Sequence, residues 1–295
     1  MADMEADVKV PAHQRPSYLR VLATFARNSL VRDMTFRTNF IIDFITSLAW
    51  MGMNLGFYLL IFEFTDTIGR NSGWGKYEFF AFLATTMIVN SLVQTFFMPN
   101  CEEVSELIRT GGLDFALLKP IDTQVVISLQ KMSWSSLSNF AAGLVLLVVS
   151  LVQMTTRAEH PLRLEIWMLA LYPFYVLCGV AILYSLMIGL AATSIWLGQN
   201  RSLYDFWFYI TNFSRYPMEI YEGPWGTPLR MICTFAIPIL VVVNVPAQII
   251  ARPISPQGET VWRLAGFALF ATFASLLVSR WIFQAALRSY RSASS

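Results

Sequence analysis

The sequence predicts an all-α polytopic membrane protein, and three observations support this class. Of its 295 residues, 56% are hydrophobic and 14% are charged, whereas charged residues make up about 25% of an ordinary soluble domain. The mean hydropathy is +0.53. Several uncharged runs are long enough, at ~1.5 Å per residue, to cross a hydrocarbon core of roughly 30 Å. These observations together indicate a chain that crosses a membrane several times.

Composition and spacing also argue against several function classes. The net charge is +2 and the basic residues are scattered, so nucleic acid is not an expected partner. Three cysteines without paired spacing and two histidines do not predict a metal site. The run from Gly69 to Tyr77 resembles a phosphate-binding loop, but five residues separate Gly69 from Gly75, and Tyr77 stands where Ser or Thr is required. No nucleotide motif, catalytic constellation or bound cofactor is predicted in this chain.

The polar N-terminal stretch 1–16 is predicted to be a disordered tail, and an interfacial elbow helix is predicted over 17–37. Four apolar residues of this helix share one face, as in helices that lie in the membrane interface. They are Tyr18, Val21, Leu22 and Phe25. The alternative is that this helix extends the first span.

Six membrane spans are predicted from the apolar runs that follow. Aromatic residues near the ends of several runs fit membrane-interface anchors. The spans are 38–62, 78–99, 131–154, 166–196, 203–219 and 261–285, with a cytoplasmic tail over 286–295.

Two late apolar runs, 202–218 and 231–251, are interrupted by polar residues or proline. If both cross the membrane, the chain has seven spans and its termini lie on opposite sides; if one does not, six spans remain and the termini share a side. Pro238, Asn244 and Pro246 interrupt the run 231–251. Broken helices are tolerated at membrane depth where they line a cavity or pack on protein. We therefore expect a re-entrant hairpin over 227–251 before the last span, with 203–219 as a short fifth span. The opposite assignment, in which 231–251 crosses the membrane and 203–219 does not, remains open.

Basic residues predict the orientation. Six lysines and arginines precede the first span and two follow it in the next loop, which places the N-terminus in the cytoplasm. Arg280, Arg288 and Arg291 favour a cytoplasmic C-terminus as well, which agrees with six spans. Arg280 is expected to reach towards the interface from the end of the last span.

A charged segment over 100–124 separates the second and third spans. The spacing of Val104, Leu107 and Ile108 predicts a short helix, and Gly111 and Gly112 are expected to end it. A second short turn then ends at Pro120. A rigid polar segment of this kind is suited to transmit the motion of a soluble motor protein to the membrane helices.

Asp43 is an isolated carboxylate within the first span. Intramembrane carboxylates are functional candidates by default, but Asp43 lies only about one turn inside the boundary, which favours a structural role. A secondary transporter would need ionisable residues near the midplane and usually an internal repeat. We find neither, although a polytopic protein of that kind, with no ATPase partner, is the alternative class.

The charged segment also resembles the pattern I-R-x-G-x-L-D-x-x-L-L-[KR]-P of ABC-2 type ABC transporter permeases. The likeness extends over about residues 17–285 and includes the start RTNFIIDFITSLAW and the stretch FAIPILVVVNVPAQIIAR. It implies that residues of 100–124 couple to an ATPase. These are Glu103, Leu107, Ile108, Arg109, Gly111, Gly112, Leu113, Asp114, Leu117, Leu118, Lys119 and Pro120.

The same resemblance implies an ABC exporter. It predicts a permease dimer, from identical or related subunits, in the inner or plasma membrane, bound to two copies of an ATPase subunit that would hold ATP and Mg²⁺. The substrate path would border spans one, two and five. The re-entrant hairpin would contribute the exit gate, with candidate residues Tyr216, Pro217, Pro238, Asn244 and Pro246.

Overall fold

The computed structural model describes residues 17–35, 37–69, 74–157, 161–197, 202–252 and 259–290. Within these ranges the protein is helical and contains no strand, which confirms the predicted all-α class. The predicted tail 1–16 and residues 291–295 lie outside the described residues. The helices are α1 (Tyr18–Thr35), α2 (Arg37–Phe64), α3 (Lys76–Phe96), α4 (Met98–Arg109), α5 (Gly112–Leu117), α6 (Thr123–Leu129), α7 (Leu137–Thr155), α8 (Ile166–Leu197), α9 (Ser202–Ser214), α10 (Gly223–Met231), α11 (Ile239–Ala251) and α12 (Glu259–Ser289).

Five stretches of the described residues are long and apolar enough to cross a membrane. They are Phe40–Phe64, Lys76–Arg109, Trp134–Thr155, Ile166–Leu197 and Val261–Ser289. A sixth would be the pair Gly223–Ala236 and Ile239–Ala251, which bends by 87° between its two halves. Helix α9 has 13 residues, or about 20 Å at ~1.5 Å per residue, and is shorter than the span predicted at 203–219.

Helix α8 forms the centre of the bundle because it is apolar around its whole circumference. It packs against α3, α4, α11 and α12. Gly179 allows α11 to approach closely, since a Cβ there would lie 2.7 Å from the backbone oxygen of Val242. Helix α11 is itself enclosed, and every residue from Ile239 to Ala251 is buried.

Helix α2 is the least buried of the long apolar helices. It packs on α7, on the end of α1 and, through Tyr58 and Phe62, on Phe79 of α3, and much of its remaining surface is exposed. Trp50, Met53 and Phe57 are each more than half exposed. These faces are available to lipid or to a second subunit.

Candidate functional site

The segment that joins α3 to α7 gathers at one end of the bundle, which we call the coupling end. Helix α4 continues from α3 after Phe97, and Gly111 separates it from α5. Gly111 has a φ of +72°, a conformation that glycine adopts without a Cβ clash. The chain therefore turns sharply between two short helices at the position where the glycine pair predicted a break.

The predicted coupling residues fall into an inward set and an outward set. Leu113 is 1% exposed, and Ile108 packs against the core. Leu118 is 80% exposed, and Leu117, Lys119 and Pro120 are exposed beside it. Gly112 and Asp114 are half-buried at the start of α5. The inward residues hold the segment on the bundle, and the outward residues form its free surface.

Phe115 belongs to the free surface, although the sequence motif does not include it. Its ring is 73% exposed, whereas Leu113 and Ala116 on either side are buried. In a helix, residues three apart share a face, so the buried pair Leu113 and Ala116 leaves Phe115 on the opposite face. We call Phe115, Leu117 and Leu118, with the adjoining Lys119, the docking surface.

Ion pairs fix the charged residues of this segment. Arg109 donates two hydrogen bonds to Glu106, with Nε 2.9 Å from Oε2. The Lys131 ammonium pairs with Glu103. Lys131 therefore has a partner at the coupling end. The backbone of Lys131 is also bound, since its N–H and carbonyl both contact the Asn100 amide at 2.7 Å.

Arg280 connects the segment to α12. Its guanidinium binds both carboxylate oxygens of Asp122, with one N–O distance of 2.9 Å, and donates to Gln124 Oε1 at 2.9 Å. Arg280 was expected to extend from the last span towards the membrane interface. In the structure its guanidinium also has a protein partner, the Asp122 carboxylate. The hydrogen bond from Arg280 keeps the pKa of Asp122 below its ordinary value, and the backbone N–H groups of Val125 and Gln124 act in the same direction.

Helix α8 and helix α1 complete the connections at the coupling end. Tyr184 of α8 hydrogen-bonds Gln124 at 3.0 Å and Ser128 at 2.8 Å. On the other side, Ser29 of α1 accepts from the backbone of Met132 at 3.0 Å, and Arg32 donates to the Met132 carbonyl at 3.1 Å. The segment 98–136 is thus bonded to α1, α8 and α12.

Asp43 is exposed on α2. It lines a cleft of about 370 Å³ that also includes Arg32, Asp33 and Ser133. Asp33 in this cleft accepts a hydrogen bond from the Trp134 backbone at 3.0 Å. Asp43 is therefore near polar residues of α1 and of the start of α7.

The predicted exit-gate residues lie on the hairpin and on the turn before it, and the hairpin starts and ends at the opposite end of the bundle, which we call the hairpin end. Pro238 lies at the bend before α11, Pro246 is buried inside α11, and Asn244 is fully buried. The Asn244 Oδ1 accepts a hydrogen bond from the backbone N–H of Met218 at 2.9 Å. Pro217, which precedes Met218, is buried, and Tyr216 is partly exposed.

Glu219 connects both ends of the hairpin. It precedes α10, and it accepts hydrogen bonds from Arg252, just after α11, at 3.4 Å and from Gln248 at 3.1 Å. The Trp74 indole donates to Glu219 at 3.0 Å, and the Arg252 guanidinium lies 4.2 Å from the Trp74 ring centre. The segment that starts at 223 and ends at 251 therefore begins and ends at the same end of the bundle.

The comparisons with known proteins identify a family. A family model described as "ABC-2 family transporter protein" matches residues 48–294. No curated protein and no solved structure matches the chain.

Proposed function

We propose that this chain, which belongs to the ABC-2 family of transporter proteins, is driven by a separate ATPase that binds its docking surface. Membership of the family identifies an ABC transporter permease, a membrane component. The finer assignment is an exporter subunit that works as a dimer with two ATPase copies. ATP and Mg²⁺ would be held by the ATPase, and this chain would supply the substrate pathway.

The observation that supports the ATPase contact is the exposed apolar docking surface. Phe115 and Leu118 are 73% and 80% exposed on a segment that also contains Lys119, Glu106 and Arg109. That charge density is unfavourable within hydrocarbon, so lipid is a poor partner for this surface. Exposed apolar clusters with a polar rim mark protein interaction sites. An aromatic anchor that fills a pocket is a common centre of such interfaces.

The connections behind the docking surface support transmission of force. Motion of α4 and α5 reaches α12 through Arg280, α8 through Tyr184 and α1 through residues 132–134. Two nucleotide states of the ATPase can shift the permease only if they contact this segment differently. A segment bonded to three helices would convert such a difference into movement of the bundle.

The second permease subunit is proposed from the exposure of α2. This helix has few contacts with the rest of the chain and exposes Trp50, Met53 and Phe57. Most closed oligomers are symmetric dimers. A second copy, or a related permease, would cover this helix and enclose a path between the subunits.

The hairpin is proposed as the exit gate of an exporter. Its two ends meet at Glu219 and Arg252, which favours a re-entrant segment over a broken span. The basic residues before α2 favour a cytoplasmic coupling end and an outer hairpin end. Rearrangement around Glu219 would then open the path on the outer side.

The test is co-purification of this permease with a co-expressed ABC ATPase subunit. Phe115→Glu and Leu118→Glu are expected to abolish co-purification, because each places a charge in an apolar contact. Trp225→Glu serves as the control, since Trp225 is 89% exposed on α10, away from the coupling end. Retained ATPase binding in both docking-surface variants contradicts the proposed site. Transport by the permease without any hydrolase contradicts the proposed function and favours a secondary transporter.

A further inference from the structure

A polar cavity lies among the apolar helices α2, α3 and α7. Its volume is about 130 Å³, and it is partly open to the surroundings. Its polar lining includes Asn54, Thr86, Asn90, Gln94, Asn139 and Arg215. We call this site the polar cavity.

The polar cavity lies at membrane depth. Asn54 is about 25 Å from the start of α2, and Thr86 is about 15 Å from the start of α3, at ~1.5 Å per residue. Both helices belong to stretches long and apolar enough to span. Polar side chains at this depth are costly unless they face protein or a polar ligand.

Helix α3 presents a stripe of neutral polar residues to this cavity. Thr86, Asn90 and Gln94 follow at intervals of four, which places them on one face. Thr86 donates to its own helix at Phe82, 3.0 Å away. The Oδ1 atom of Asn90 is buried and has no hydrogen-bond partner among the described residues. An unpaired buried acceptor is unfavourable, and a hydroxyl of the ligand or a water molecule beside it, rather than the anionic group itself, would remove that cost.

Arg215 supplies the charge. It is the charged residue among the described lining residues of the cavity. No described carboxylate lies within ion-pair distance of its guanidinium. A cation at low dielectric is stabilised by an opposite charge. The guanidinium also offers donors in a fork that matches carboxylate and phosphate.

We propose that the polar cavity binds the anionic head group of an amphipathic substrate, with Arg215 as its counter-ion. This inference rests on the proposed permease function, since it assigns the cavity to the substrate path. The cavity volume suits a head group rather than a whole amphipath. The aliphatic tail would lie along the exposed apolar face of α2, beside Trp50 and Met53.

The test measures binding to the purified permease without its ATPase, so that it does not depend on the coupling mechanism. The protein is placed in nanodiscs of phosphatidylcholine and titrated with brominated dodecyl phosphate, which quenches nearby tryptophan. Brominated dodecyltrimethylammonium and a brominated dodecyl glucoside have the same tail with a cationic and a neutral head. Trp50 lines the cavity, and Trp50→Phe is expected to remove the saturable part of the quenching.

The wild-type protein is expected to bind the phosphate probe at least about tenfold more tightly than the other two. Arg215→Gln is expected to remove this preference, and Arg215→Lys to keep most of it. Arg230→Gln, on α10 outside the cavity, is the matched control. A second series with phosphatidylglycerol in the nanodisc separates the sources of the anion. If this lipid competes with the phosphate probe, the site binds a membrane phospholipid. If it does not compete, the site binds a separate substrate.

Three results overturn the proposal. They are equal binding of the three probes, unchanged phosphate binding by Arg215→Gln, and conversion of a dimer to a monomer by Arg215→Gln with probe binding intact. The last would mean that Arg215 pairs with another subunit. If Arg215→Gln does not fold, Asn90→Asp is used, and its added negative charge is expected to weaken binding of the phosphate probe about tenfold or more. Loss of ATPase docking in the Phe115 variant with probe binding unchanged would separate the two sites.

Discussion

Asp122 and Arg280 form a pair that holds the segment 98–136, which we call the coupling segment, against α12. Asp122 has two roles: it binds Arg280, and it caps α6 by accepting from the backbone N–H groups of Gln124 and Val125. Asp122→Asn removes the charge and keeps a good capping residue. Arg280→Gln removes the cation, and the double variant removes both.

The expected coupling energy follows from geometry and exposure. Hydrogen bonds to charged groups contribute roughly 1.5–3 kcal/mol. The Arg280 side chain is 41% exposed and the Asp122 side chain is 29% exposed, so solvent screening lowers this contribution. We expect the double-mutant cycle to give about 1 kcal/mol between positions 122 and 280, with each single variant destabilised by a similar amount.

The sign of the pH dependence is also fixed. The folded pKa of Asp122 is lowered, first by the hydrogen bond from Arg280. The stabilisation is therefore present above the unfolded value of about 3.9 and is lost as the pH falls through the folded value. Arg280 keeps its proton throughout. The difference in stability between wild type and Asp122→Asn is expected to be constant from about pH 5 to 8 and to shrink below about pH 4.

The assays are unfolding of the purified permease in one detergent and the ratio of transport to ATP hydrolysis in the reconstituted complex. Arg280→Gln is expected to lower this ratio, because α12 would no longer follow the coupling segment. A coupling energy below about 0.3 kcal/mol, within the error of additivity, refutes the interaction. A normal transport ratio in a destabilised Arg280→Gln variant shows that the pair holds the fold and does not transmit motion.

Three further predictions concern single positions. Asn244→Ala is expected to lower the free energy of unfolding by about 1–3 kcal/mol, because a buried backbone N–H loses its acceptor; unfolding of both proteins in the same detergent measures it, and a change under about 0.5 kcal/mol contradicts it. Gly179→Ala is expected to cost about 1–3 kcal/mol, since its Cβ would meet a backbone oxygen at 2.7 Å, whereas Gly189→Ala, with nothing within 4 Å, is the control and is expected to change stability by less than about 0.5 kcal/mol. Gly111→Val and Asp114→Lys are expected to uncouple transport while membrane insertion stays normal, because valine is strained at a φ of +72° and lysine reverses a charge in the first turn of α5; full substrate-stimulated ATP hydrolysis in these variants would place the lever elsewhere.

The outline of the coupling segment could be predicted from its own residues. A glycine pair ends a helix wherever it occurs, and Gly111 adopts the left-handed conformation that separates α4 from α5. The motif around Arg109 and Asp114 also identified the family. It did not identify Phe115, because the face of α5 that remains exposed depends on which residues α4 and α6 cover.

The long-range pairs could not be predicted in this way. Asp122 and Arg280 are 158 positions apart, and no local pattern joins them. Arg280 was expected to reach the interface, since a lone cation at the end of an apolar run has that option. The carboxylate that binds it comes from a different segment. The same holds for Asn244, whose partner is a backbone N–H after α9.

The amino-acid sequence alone predicted that the chain is helical and crosses a membrane, because hydrophobicity and local turn preferences act over a few residues, and the motif at 108–120 carried the resemblance to ABC-2 permeases. Helix packing alone decided that Thr86, Asn90 and Gln94 face a cavity shared with Arg215, and that Glu219 meets Arg252 at the ends of the hairpin. Within an apolar run, the face that a polar residue occupies is visible from its spacing, but what lies opposite that face depends on helices distant in the chain.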